Sequence, residues 1–225
     1  MKKFFSLLPK KDRVLLYISW VVKIAILLVF IGAIVQGQLL VVFLSGLVLI
    51  ISFLPSMINH TFKIVLPPEF ETVFALFLYA SFVLGELKDY YFKYPWWDLM
   101  LHSLSAIMIG LVGFIIVYSF YYTHKVVFSP IFASVFSLSF ALAIGVLWEI
   151  FEFTIDSNFG TSMQKSGLVD TMWDLIVDFF GALIISVSGY FYLKGGDSFL
   201  MEKFVKKFIR INEQNLKAKN NNKII

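Results

Sequence analysis

Between positions 14 and 35 a single charge, Lys23, interrupts 22 residues of otherwise uncharged and mostly apolar chain. A helix of that length, at about 1.5 Å per residue, crosses the about 30 Å hydrocarbon core of a bilayer. Comparable stretches recur, and six spans are predicted at 14–35, 39–57, 72–92, 98–122, 131–153 and 170–193. Hydrocarbon offers no water to backbone N–H and C=O groups, so each span has to satisfy its own as a helix. The predicted fold is therefore all-α, a polytopic transmembrane helix bundle.

Composition supports that class and removes others. Hydrophobic residues make up 59% and charged residues 15% of the 225 positions. Soluble domains run at about 45–50% apolar and about 25% charged, so a soluble fold of this length could not hide the excess. A disordered chain needs low hydrophobicity and high net charge, and the net charge here is +4. The absence of cysteine excludes disulfides, zinc–thiolate sites and cysteine nucleophiles together. Six spans fill most of the length, giving one transmembrane domain over 1–193 and a tail over 194–225.

The basic start, MKKFFSLLPKKDR, precedes an apolar run too long for the 7–15-residue core of a signal peptide, and no small-residue cleavage site follows. It reads as an uncleaved first span. Only Gln36-Gly37-Gln38 separates the first span from the second, and one helix over 25–51 would lower the count to five. Basic residues argue against five. Of 19, five precede the first span (Lys2, Lys3, Lys10, Lys11 and Arg13) and eight lie from Lys194 onward. An even number of spans puts both clusters on one side, which the positive-inside bias makes cytoplasmic. Both termini are thus expected on the cytoplasmic side of a membrane. In the tail, Phe199, Leu200, Phe204, Val205, Phe208 and Ile209 alternate with Lys203, Lys206 and Lys207. That pattern reads either as an amphipathic helix on anionic lipid at the inner face or as a solubilising tail. Lys23, about 14 Å into the first span, reads as a lysine snorkelling toward the surface.

The acids are distributed unevenly. Nine of 15 lie between Glu86 and Asp178: Glu86, Asp89, Asp98, Glu149, Glu152, Asp156, Asp170, Asp174 and Asp178. On the six-span topology all nine fall at one end, the outer one, of four helices. Asp98 and His102 are i,i+4, Glu149 and Glu152 i,i+3, and Asp170, Asp174 and Asp178 i,i+4,i+8, each set along one helix face. Asp178 lies about 12 Å beyond Asp170, below the interface. An aspartate at a helix centre costs about 2.5–3.5 kcal/mol to insert, so cations, protons or lysines have to neutralise the group.

Plainer roles exist for some of these residues. Asp170 and Asp98 suit helix N-terminal capping, and Asp89 and Asp156 suit a solvated rim. Those readings do not reach Glu149, Asp174 or Asp178, which lie within spans. His60 and His124 fall at the other membrane face and receive no role. Tyr90, Tyr91, Phe92, Tyr94, Trp96, Trp97, Trp148 and Trp173 read as an interfacial belt. Gly110, Gly113, Gly181 and Ala182 read as points of close helix approach.

The strings LGELKDYYFKYPWWDLMLHSLSA, GVLWEIFEFTID and DTMWDLIVDFFGAL, with LPPEFE before the third span, resemble the YjdF-like family of bacterial inner-membrane proteins. The resemblance covers roughly Leu66 to Leu193. It implies the topology and the acidic face and names no reaction. A fainter similarity is to VanZ-like proteins, linked to glycopeptide resistance. Their D-x-x-x-H resembles Asp98 and His102, their E-x-x-Q resembles Glu149 and Glu152, and their D-x-x-x-N-x-x-G resembles Asp174, Asp178 and Gly181. Glu152 and Asp178 stand where that pattern has Gln and Asn, which makes this site more acidic.

Three functions remain open. Asp98, His102, Glu149, Glu152, Asp174 and Asp178 form a ligand pool for Mg, Mn, Fe or Zn, with Glu86 as a base, in a metal-dependent hydrolase or transferase acting on a lipid-linked substrate. Alternatively the acids line a proton- or cation-coupled transport path. As a third reading, they pair with lysines of a partner chain in a scaffold. No motif suggests a nucleotide loop, a serine triad or a nucleic-acid surface.

Overall fold

A computed structural model describes residues 9–62, 64–124, 127–196 and 198–221. The described residues are helical with connecting turns and contain no strand. The helices are α1 Lys10–Val35, α2 Leu39–Ile51, α3 Leu54–Phe62, α4 Pro68–Leu78, a π-helix Tyr79–Glu86, α5 Tyr90–Lys93, α6 Trp97–His124, α7 Pro130–Phe159, α8 Leu168–Leu193 and α9 Phe199–Asn221. Six segments among them are long and apolar enough to cross a membrane: Lys10–Val35, Leu39–Asn59, Pro68–Glu86, Trp97–Phe120, Pro130–Phe159 and Leu168–Leu193.

Two compact units make up the chain. The first comprises residues up to Lys93 together with those from Lys206 on, and the second comprises Tyr94–Val205. In the first, α1 packs on α2 and α4, and the core gathers around Ile26, Phe82 and Val83. A turn at Gly37, with φ +68°, separates α1 from α2 and accounts for two spans where one long helix was the alternative. The second span breaks after Ile51 because Pro55 has no N–H for the helix ladder.

The third span departs most from its expected 72–92. Pro67 and Pro68 start it four residues early, since proline at the first helical position loses no intrahelical bond. It then widens into the π-helix, where Leu87 N–H bonds to Phe82 C=O at 3.1 Å, and stops at Glu86. The chain reverses at Asp89, φ +57°, a left-handed position that aspartate tolerates. Tyr91 folds back so that its hydroxyl lies 3.0 Å from Ser81 Oγ and its ring covers Gly85, where a Cβ would come within 2.4 Å.

Lys23 does not snorkel. It is 3% exposed, and its Nζ lies 2.8 Å from Glu71 Oε1 with the Phe53 ring 4.9 Å away. The early start of α4 places Glu71 inside the span, and a paired charge there is cheaper than a lone one. From α9, Lys207 bonds to Asp12 and Glu69, and Asn212 clasps the backbone N–H and C=O of Val65. The expected tail helix thus exists, but Phe208 and Ile211 on it are buried instead of free for lipid. The side chains of Phe199 and Leu200, the residues Lys2 and Lys3, and positions 222–225 lie outside the described residues.

In the second unit α6, α7 and α8 pack on one another. Ala106, Ala141 and Ala182, one from each helix, meet at its centre. A Cβ at Gly181 would lie 2.8 Å from the Ser103 carbonyl, and one at Gly113 3.2 Å from Ser137 Cα, so small residues set this close approach. Ser137 Oγ donates to Gly110 C=O at 2.7 Å and Ser186 Oγ to Ser134 C=O at 2.9 Å, tying the helices where no water competes. The fifth span runs to Phe159, six residues beyond its expected end, and Gly160 closes it.

Candidate metal centre

Three helix ends in the second unit carry the site. The start of α6 supplies Asp98 and His102, the end of α7 Glu149 and Glu152, and the start of α8 Asp170, Asp174 and Asp178. The i,i+3 and i,i+4 spacings put each set on the inward stripe of its helix. Trp148 and Trp173, one residue before Glu149 and Asp174, point outward and are exposed, as belt residues would be. The polar groups therefore face the unit's interior while bulky apolar groups face lipid.

His102 sits at the middle. Its Nδ1 lies 3.4 Å from Asp178 Oδ2. Its Nε2 lies 3.8 Å from Glu149 Oε1 and 4.0 Å from Asp98 Oδ1, too far for hydrogen bonds. His102, Glu149, Asp174 and Asp178 are all buried. Glu149 Oε1, Asp174 Oδ1 and Asp178 Oδ1 are enclosed without a hydrogen-bond partner. Unpartnered buried carboxylate oxygens are costly unless something else neutralises them.

The ligand atoms of His102, Glu149 and Asp174 lie within 4.8 Å of one another. Ligands about 2.1 Å from a common ion stand about 3.0–4.2 Å apart, so an Nε2–Oε1 gap of 3.8 Å admits one between them. A neutral imidazole that donates from Nδ1 to Asp178 would keep on Nε2 the lone pair a metal takes. Carboxylates commonly hold metal-binding histidines in this way.

A second trio, Asp98, Asp170 and Asp174, meets the same distance limit. Asp174 belongs to both. Asp170 was expected to cap α8, but its Oδ2 accepts the backbone N–H of Lys165 at 3.1 Å. Asp98 Oδ2 lies 2.8 Å from Lys165 Nζ. Asp156 is no simple rim residue. It accepts bonds from Thr161 Oγ1, Met163 N–H and Gln164 N–H, and so organises the 160–167 loop that brings Lys165 to the acids. Gln164 Nε2 donates to Thr171 Oγ1 at 2.7 Å, fixing the loop to α8.

Of the residues expected in the ligand pool, Asp98, His102, Glu149, Asp174 and Asp178 come together. Glu152 is buried one turn from Glu149, within electrostatic range of Asp98, His102 and Asp174, but contributes to neither trio. Glu86 belongs to the first unit, where its side chain is exposed. Asp170 and Lys165 are the members that sequence spacing did not recruit. The i,i+4 step from Asp170 to Asp174 was the available signal. The side chains of His60 and His124 lie outside the described residues.

Comparison with known proteins gives one family and one relative. The profile of DUF2238, described as a predicted membrane protein, matches residues 18–195. An uncharacterized protein of Thermotoga maritima is 32% identical over 120 residues, which cover 52% of this chain and 59% of the relative. The match thus spans less than two thirds of that relative's length. Both findings agree with the resemblance to the YjdF-like family. No solved structure matches.

Proposed function

This chain belongs to the DUF2238 family of predicted membrane proteins, and we propose that it binds a divalent metal ion among α6, α7 and α8, in a bacterial cytoplasmic membrane with both termini inside. One observation carries the reading: Glu149, Asp174 and Asp178 each bury an unpartnered carboxylate oxygen around a single imidazole. Six carboxylates (Asp98, Glu149, Glu152, Asp170, Asp174 and Asp178) face one lysine and one histidine, too few cationic side chains to pair them all. A divalent cation would add two positive charges and give the Glu149 and Asp174 carboxylates a partner.

His102 Nε2, Glu149 and Asp174 would hold the ion, and Asp178 would orient the imidazole through Nδ1. Asp98 and Glu152 complete the negative surroundings. Oxygen and imidazole donors without thiolate suit Mg, Mn, Fe or Zn. When bound, such an ion polarises a phosphoryl or carbonyl oxygen or acidifies a water. Placed at the outer ends of the spans, the residues would meet a lipid-linked substrate at the head-group level, in a hydrolase or transferase. The exposed Lys194, Lys203 and Lys206 would face anionic lipid at the inner surface.

Elemental mass spectrometry of the detergent-purified protein tests the reading. The wild type should carry stoichiometric divalent metal, and His102→Ala and Asp174→Asn should lose it. A wild type without metal after incubation with Mg, Mn, Fe and Zn would overturn it, leaving the acids to protons or a partner's lysines. Metal retained in both variants would move the site elsewhere.

A further inference from the structure

We propose that Lys165 is a tethered cation occupying a second divalent-cation position, formed by Asp98, Asp170 and Asp174, and that its ammonium keeps the centre to one ion. The inference rests on the reading of His102, Glu149 and Asp174 as the first position.

Asp98, Asp170 and Asp174 bring one oxygen each within 4.8 Å, the spacing of a metal site. Asp174 is 2% exposed, and its Oδ1 has no hydrogen-bond partner, so one member of the trio buries an unsatisfied carboxylate oxygen. Into this trio the 160–167 loop delivers a positive charge. Lys165 Nζ lies 2.8 Å from Asp98 Oδ2, and the backbone N–H of the same residue lies 3.1 Å from Asp170 Oδ2. Two of the three carboxylates are thus engaged by one residue.

That engagement is built, not incidental. The carboxylate of Asp156 accepts from Thr161, Met163 and Gln164, which fixes the loop just before Lys165. Gln164 bonds onward to Thr171 on α8. A lysine held this way is a point charge of the sign and place a cation would take, with three donors but no capacity to bridge carboxylates as a divalent ion does. Asp174, shared by both trios, is the carboxylate that would bridge two ions once the ammonium is removed.

Manganese stoichiometry on the purified full chain separates the possibilities. With Mn²⁺ alone as the probe, the wild type should hold one ion per chain, and Lys165→Met and Lys165→Gln two. Lys165→Arg, which keeps the charge, should hold one. Lys165→Met combined with Asp170→Asn should return to one, because Asp170 belongs only to the second trio. One ion in both Lys165→Met and Lys165→Gln, or two in the wild type, overturns the inference and leaves the first position standing. No ion in any chain overturns both.

Discussion

At the scale of single residues, the site depends on groups that do not themselves bind. Gly145 on α7 is one. A Cβ there would fall 2.3 Å from Asp178 Oδ2, so glycine makes the space in which that carboxylate reaches His102. The clashing atom is the end of a side chain, which can rotate away. Gly145→Ala should therefore melt close to wild type in detergent while metal affinity falls about tenfold or more, as when other groups behind a metal ligand are lost. Unchanged affinity by cation titration would mean that Asp178 does not orient the histidine. Lys23, in the first unit, matters to the fold through its pair with Glu71. Lys23→Met leaves Glu71 within a span without its lysine and with Ser19 Oγ 3.4 Å away, and should destabilise by about 3–5 kcal/mol. Adding Glu71→Gln should recover most of that loss in thermal unfolding, because the uncompensated charge, and not the lost contact, is the damage.

Elements show a division between packing and chemistry along the same helices. On α8, Asp174 and Asp178 face the site, and Gly181, Ala182 and Gly189 continue the same stripe into the close contact with α6. Gly181→Ala places a methyl 2.8 Å from the Ser103 carbonyl, a backbone atom that cannot rotate aside. It should lower stability by about 1–3 kcal/mol, read as a lower melting temperature in detergent. Gly32→Ala on α1, where the added Cβ meets nothing within 4 Å, is the control and should be neutral or slightly stabilising. Equal effects at both positions would mean helix propensity, not close approach, governs. The third span carries a related lesson. Hydropathy alone extends it to Phe92, but the π-helix and the reversal at Asp89 end it at Glu86 and return Tyr91 onto Ser81.

For the whole molecule, the proposed orientation places both termini in the cytoplasm. An even number of spans would give both termini the same side, and the proposal that this side is the cytoplasm rests on the basic clusters. A chain with no native cysteine allows a direct test with single introduced thiols. Lys11→Cys and Asn220→Cys should react with an impermeant maleimide only after the membrane is opened. Ser162→Cys, in the loop between the fifth and sixth spans, should react in intact cells. The reverse pattern inverts the orientation but keeps the acids together at one end. Labelling of one terminus but not the other would require an odd number of spans.

Much of this was legible without coordinates because the bilayer imposes local rules. Span length, backbone satisfaction and the parity of helix ends are properties of consecutive residues, so the helical class, the six spans and the shared end of the acids follow from order and composition. The i,i+3 and i,i+4 spacings likewise fix which acids share a helix face. Which faces meet is a matter of helix rotation and approach, settled by contacts between residues far apart in the chain. The pairing of Lys23 with Glu71, 48 positions on, is of that kind, as is the contact of His102 with Asp178, 76 positions on. So are the turning of Asp170 from a cap to a partner of Lys165 and the space Gly145 leaves for a carboxylate. No local spacing encodes those pairings. They arise because close-packed helices bring specific turns together, and a charge buried there takes whichever opposite charge the packing delivers.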